Sequence, residues 1–184
     1  MIDSYLRSQS DLDDHVVHLL FSANRWELAS TILAYLNQGK LVLCDRYAFS
    51  GIAFSVAKNL PSELQTTAPT PSSDLPPITL PWARAPDASL PSPDLTLFLD
   101  VSPEVARTRG GYGEERYEKE DMQKRVRRVF GEIGREINGT GAVDDGKWIV
   151  VDAGKDLSTV TEEMWRHIAP FLDGLDLPVG RLWS

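Results

Sequence analysis

Leu41-Val-Leu-Cys-Asp45-Arg46-Tyr47-Ala-Phe-Ser-Gly51 is the stretch on which the fold of this chain turns. A short apolar run stops at a carboxylate and a guanidinium, and a helical segment follows. Lys40–Cys44, short, apolar and partly β-branched, reads as a buried strand. In an open α/β sheet, ligands bind at the carboxyl ends of the strands, so an acid and an arginine at such a tip stand where chemistry is done. Taken alone, the pair also fits a surface salt bridge, which is common and weak.

Upstream, Leu12–Gln38 has helical periodicity, in one piece or two. Val16, Leu19, Leu20, Leu28, Ile32 and Leu36 recur at three- and four-residue spacing, and Gly39 is the expected stop. Inside it, Phe21-Ser-Ala-Asn-Arg25-Trp26 puts Phe21 and Arg25 on one face with His18. An aromatic ring beside an arginine suits a flat heteroaromatic ligand, the ring stacking and the fork donating to a carbonyl edge. A core phenylalanine beside a solvated arginine is the plainer alternative.

Downstream, Tyr47–Leu60 reads as a helix ended by Pro61. Residues 61–93 hold nine of the twelve prolines, mixed with Ser and Thr. That composition predicts an irregular or disordered stretch, with 61–85 as a Pro-rich insertion loop. Leu95–Leu99 is a second strand, and Ser102-Pro103-Glu104 opens a helix with a serine cap and a first-turn proline. Arg107-Thr-Arg109-Gly-Gly-Tyr-Gly-Glu-Glu-Arg116-Tyr117-Glu118 joins phosphate-binding arginines to permissive glycines, as a lid over a nucleotide would (residues 107–118). An ordinary helix–helix connection is the alternative. Glu118–Ile137 is a long helix, Trp148–Val151 a third strand and Leu157–Phe171 a last helix. Alternating strands and helices imply one α/β domain over residues 1–184, its parallel sheet covered on both faces.

Composition narrows the function. With 184 residues the chain can bury a real core. A net charge of −8 and a pI near 4.9 argue against a nucleic-acid scaffold. No apolar run approaches the roughly 20 residues that span a membrane, and the first residues do not resemble a secretory signal. Lone Cys44, read as buried filler, suits a reducing compartment. The histidines show no metal-ligand spacing, and Asn138-Gly-Thr140 reads as a turn. Gly141-Ala-Val-Asp-Asp-Gly146-Lys147-Trp148 mimics a phosphate loop in spacing only. Trp148 replaces the magnesium-binding Ser/Thr, Asp144 and Asp145 would repel phosphate, and the segment precedes a strand where a true loop follows one. No other match occurs in these residues.

With those residues in view, the chain resembles the thymidylate kinases, of the eukaryotic and fungal kind. His18-Leu-Leu-Phe-Ser-Ala-Asn-Arg-Trp26, Asp45–Gly51 and Arg109–Glu118 look like family signatures in order. Pro93–Asp100 is similar to the family's next strand, and Val151-Asp-Ala-Gly-Lys155 to the segment beside the adenine. The resemblance covers nearly the whole chain outside 61–85. It implies a P-loop-kinase-like three-layer α/β/α fold and transfer of the γ-phosphoryl of ATP to dTMP, with Mg2+. It implies that Phe21 stacks on thymine and Arg25 donates to its O4, that Ser50 and Gly51 line the base pocket, and that Phe54, Tyr117 and Gln123 pack around sugar and base. It assigns Arg46 to the acceptor phosphate and Asp45 to the phosphates and, through water, the metal. Arg109 and Arg116 would serve the lid, and Ala153 and Lys155 the donor nucleotide. It further implies a homodimer formed through helices, for which the apolar Val16–Leu36 region could serve, in the cytoplasm, with a nuclear or mitochondrial pool left open.

Two departures stand out. The chain begins partway through the family pattern, so the first strand, the Walker-type loop, the next helix and the next strand are expected to be missing. On that reading this polypeptide alone is inactive. The Pro-rich insertion is also longer than the family's usual connection. A non-catalytic nucleotide-binding or interaction protein derived from a truncated kinase, and a deoxynucleoside kinase, remain the alternatives.

Overall fold

The fold is taken from a computed structural model that describes residues 12–61, 75–108, 120–139, 147–175 and 177–184. Helix α1 runs unbroken over Asp14–Asn37, with the Asp13 side chain accepting from the His15 backbone N–H. Gly39 ends it at φ +71°, a conformation that a side chain would strain. Its packed face carries Val17, His18, Ser22 and Ala29. The apolar periodicity therefore marks the helix but not its buried side: Val16, Leu19 and Leu28 stand 44%, 46% and 53% exposed.

Helix α2, Ala48–Lys58, packs on that small and polar face, burying Ala48, Ile52, Ala53, Val56 and Ala57. The two helices run antiparallel. Asp14 in the first turn of α1 pairs with Lys58 in the last turn of α2. His18 meets Ser55 midway, and Arg25 lies against Gly51 near the start of α2. Alanines let the backbones approach, and the polar side chains between them bond one another.

The expected strand at Lys40–Cys44 is not one. Residues 40–44 have no ladder partner among the described residues. Leu41 and Leu43 are 57% and 83% exposed, and Cys44 is exposed instead of buried. A strand is buried by its neighbours, and neither described strand adjoins this run. Those strands are β1, Thr96–Asp100, and β2, Trp148–Asp152, paired in parallel from Thr96↔Trp148 to Asp100↔Asp152. The connection between them includes helices α4, Pro103–Arg107, and α5, Glu120–Ile137. Helix α6, Leu157–Ile168, follows β2 and continues as a 3-10 turn over Ala169–Asp173. Met122, Val126, Val129 and Ile133 form the apolar stripe of α5 against α2, and Trp148 joins the same core.

The expectation of an irregular stretch fails over its second half. Thr79 caps helix α3, Leu80–Arg84, and a 3-10 turn over Ala85–Asp87 follows. Ile78, Ala83, Asp87 and Leu90 are buried. Pro81 and Pro86 are tolerated here because they sit in first turns, where a missing N–H costs nothing. The carboxyl-terminal residues close over this segment. Leu182 donates to Leu90 O at 2.9 Å and accepts from Ser89 at 2.8 Å, and Trp183 meets Phe49 edge-on at 5.9 Å. Among the described residues, no helix is long and apolar enough to cross a membrane.

Candidate functional site

Several of the residues singled out in the sequence, Arg25, Arg46, Ser50, Gly51 and Phe54, lie in, before or against α2. The chain leaves its extended run at Asp45, which is exposed, and Arg46 takes φ +65°. A left-handed arginine costs on the order of 1–3 kcal/mol and persists only where its surroundings fix it, which points to function. Its guanidinium carbon lies 5.1 Å from the centre of the Phe54 ring, two turns into α2. Tyr47 donates its hydroxyl to Pro91 O at 3.1 Å. Burial pushes its phenol up to about 12, with a smaller push from Cys44, so it remains a donor at neutral pH.

Arg25 reaches the same region from α1. Its Nε and Nη2 donate to the two oxygens of Asp87 at 3.0 and 2.6 Å. Asp87 is fully buried and also accepts from the Ser22 hydroxyl at 2.7 Å. The remaining nitrogen, Nη1, lies over Gly51, where an added Cβ would approach it to 2.9 Å. Glycine is what allows the arginine to lie there. Phe21, half-buried, stands one turn before Arg25 on α1, and half-buried Ser50 adjoins Gly51.

His18 ties the three helices together beneath this site. Its Nε2 donates to the Ala83 carbonyl at 2.8 Å, so Nδ1 accepts from the Ser55 hydroxyl at 2.8 Å. Burial holds its pKa below the usual histidine value, against the Ala83 hydrogen bond, which raises it.

Other expected positions lie elsewhere. Gln123 is half-buried on α5, the helix that packs on α2. Ala153 and Lys155 sit in the turn after β2, where Ala153 N–H donates to Asp100 O at 2.7 Å and Lys155 pairs with Glu163 at 3.1 Å. Arg109, Arg116 and Tyr117 fall outside the described residues, as does most of the 107–118 lid. Trp148, the residue that spoils the phosphate-loop match, is a core residue at the start of β2. No group of three or more His, Cys, Asp or Glu among the described residues could hold a metal ion.

Against known proteins, the thymidylate kinase family model matches residues 1–80 and 77–164. The thymidylate kinase of Schizosaccharomyces pombe is 43% identical over 163 residues, 89% of this chain and 67% of that enzyme. That of Danio rerio is 38% identical over 183 residues, the whole of this chain and 76% of the relative. The chain belongs to the thymidylate kinase family. Its fold also matches the solved thymidylate kinase of Candida albicans with a TM-score of 0.79 at 34% identity, covering 98% of this chain and 79% of that one. The expected fold class thus holds: a P-loop kinase fold with an open parallel sheet. The family is one of nucleoside monophosphate kinases, transferases that use ATP.

In this thymidylate kinase family member, sequence reasoning missed Asp87 and Ser22. Asp87 lies in the stretch dismissed for its prolines. One signal pointed to it: Arg25 in an apolar helix needed a carboxylate, and Asp87 follows Trp82-Ala-Arg-Ala-Pro86, which could enter a helical turn.

Proposed function

We propose that these residues form the acceptor half of a dTMP kinase site, at which the γ-phosphoryl of ATP passes to thymidine monophosphate. The observation that carries this is Arg25, fixed by Asp87 with its Nη1 nearest Gly51, beside the helix that Arg46 precedes and that carries Phe54. Phe21 stacks on thymine and Arg25 donates to O4. Cytosine presents an amino donor there, so a donor facing it would be left unpaired. Ser50 and Gly51 line the pocket, with Phe54, Gln123 and Tyr117 around sugar and base. Arg46 clamps the acceptor phosphate and Asp45 orients the reacting groups.

Little covalent work falls to the protein in phosphoryl transfer; positioning and electrostatics dominate. Asp45 need not be a strong base, because the attacking phosphate oxygen is already largely ionised near neutral pH. Asp45 is a single exposed carboxylate, which fits an ion carried by the nucleotide's phosphates and met through water, and not a protein cage. Bound magnesium supplies charge neutralisation at the transferring group. Arg109 and Arg116 close over the donor, with Ala153 and Lys155 beside its adenine. Val16 and Leu19, exposed one turn apart on α1, support pairing as a homodimer.

These 184 residues contain no Gly-x4-Gly-Lys-Ser/Thr loop, and the polypeptide of these residues alone is expected to turn over negligibly. A coupled assay with ATP and dTMP reaching about 1 s⁻¹, the low end of ordinary enzymes, would overturn that expectation. Arg25→Ala tests the acceptor reading: selectivity for dTMP over dCMP falls, and unchanged selectivity contradicts the role.

A further inference from the structure

Arg25 can read a carbonyl only if it cannot re-aim. Cytosine offers an acceptor too, its ring N3, next to the amino group that replaces O4. A guanidinium free to swing would leave the amino group and bond that nitrogen, and discrimination would be lost. Specificity of this kind needs a device against the wrong partner, not only an attraction to the right one.

Such a device is present. Asp87 takes Nε and Nη2 of Arg25 through both of its oxygens, at 3.0 and 2.6 Å. Two parallel bonds fix the plane of the fork, which a single bond would not. The Arg25 side chain is only 10% exposed and that of Asp87 0%. Asp87 is itself held, since the Ser22 hydroxyl donates to its Oδ1 at 2.7 Å, with Pro86 O a longer second acceptor of the same hydrogen at 3.1 Å. Trp26 donates its indole N–H to the same Pro86 carbonyl at 2.7 Å, so the turn carrying Asp87 is pinned to α1 on both sides of the arginine. Among the described residues Nη1 has no hydrogen-bond partner, and it is the nitrogen nearest Gly51, where an added Cβ would meet it at 2.9 Å and Nη2 at 3.2 Å. We infer that Asp87, seated by Ser22, is a specificity-determining positioning residue that fixes the plane of Arg25 so that the unpaired Nη1 is offered to the base and thymine is selected over cytosine. The inference rests on the acceptor-site reading of Arg25.

The test is calorimetric titration of dTMP and dCMP into the full chain and its variants, reading the ratio of the two affinities. Asp87→Asn keeps the shape but loses charge and one acceptor; the ratio is expected to fall about tenfold, through weaker dTMP binding with dCMP binding held or improved, as loss of a bond to a charged group implies. Ser22→Ala leaves the pair intact but looser and lowers the ratio two- to threefold, on the order of one neutral hydrogen bond. In an Arg25→Ala background, Asp87→Asn changes the ratio no further, which a merely structural role would not produce. Should Asp87→Asn fail to fold, Ser22→Ala decides, and an unchanged ratio there overturns the inference. A ratio lowered by Arg25→Ala but untouched by Asp87→Asn overturns the role of Asp87 alone. A ratio untouched by Arg25→Ala overturns the acceptor reading and the inference together.

Discussion

His18 shows at the residue scale how much chemistry a buried side chain can settle. Bonded to Ala83 O and Ser55 Oγ, it is held neutral, and burial keeps its pKa below the ordinary 6.5. The unfolded chain therefore takes up a proton first on acidification. The stability His18 contributes is full above about pH 6.5 and is lost as pH falls from there through the lower folded value. Denaturant midpoints measured between pH 5 and 7.5 should fall with acid more steeply in the parent than in His18→Gln. Parallel pH profiles would refute the assignment. His18 was legible in the sequence as a neighbour of Phe21 and Arg25 but not as the link between α1, α2 and α3, because two of its partners stand 37 and 65 residues away. The same distance hid Asp87, 62 residues from Arg25.

At the scale of elements, α5 and β2 meet through one close contact. Gly134 faces Trp148, and a Cβ there would come within 2.6 Å of the indole nitrogen. The ring has little room to move, with Phe49, Phe98 and Phe130 at centroid distances of 5.5, 6.0 and 6.2 Å. Gly134→Ala should therefore destabilise the fold by about 1–3 kcal/mol through overpacking, despite alanine's better helix propensity. Gly131, one turn earlier and facing open space, gives the opposite sign. Gly131→Ala should stabilise by roughly 0.5–1 kcal/mol. Equilibrium unfolding of both variants checks the pair, and shifts of the same sign would contradict the packing described. Periodicity placed α1, α2, α5, α6 and both strands to within a few residues, because caps and apolar spacing are local signals. It did not reveal the packed face of α1, where α2 meets Val17, His18, Ser22 and Ala29, since small and polar residues carry no hydropathy signal. It missed α3 because proline reads as a breaker unless its first-turn position is known. Asn138 was rightly read as part of a turn, with Gly139 at φ +75°. Both of its amide atoms bond the Trp148 backbone at 2.9 Å.

The whole molecule leaves Val16 and Leu19 exposed on one side of α1 and buries the Arg25–Asp87 pair on another. If the exposed side with Val16 and Leu19, one turn apart, pairs two copies, the chain sediments as a dimer at tens of micromolar, and Val16→Glu with Leu19→Glu gives monomers of unchanged helicity. A parent chain that is monomeric at that concentration would refute the pairing. The family was readable from three motifs, and the comparisons bear it out over the whole chain. The pairing of Arg25 with Asp87 was not readable, because it depends on a carboxylate brought back from a proline-rich segment. The most direct test of the acceptor-site reading is a calorimetric titration of the unmodified chain with dTMP and, separately, dCMP. Saturable binding of one dTMP per chain is expected, at least about tenfold tighter than dCMP, the margin one bond to a charged group supplies. Equal affinities, or no saturation by dTMP, would contradict it.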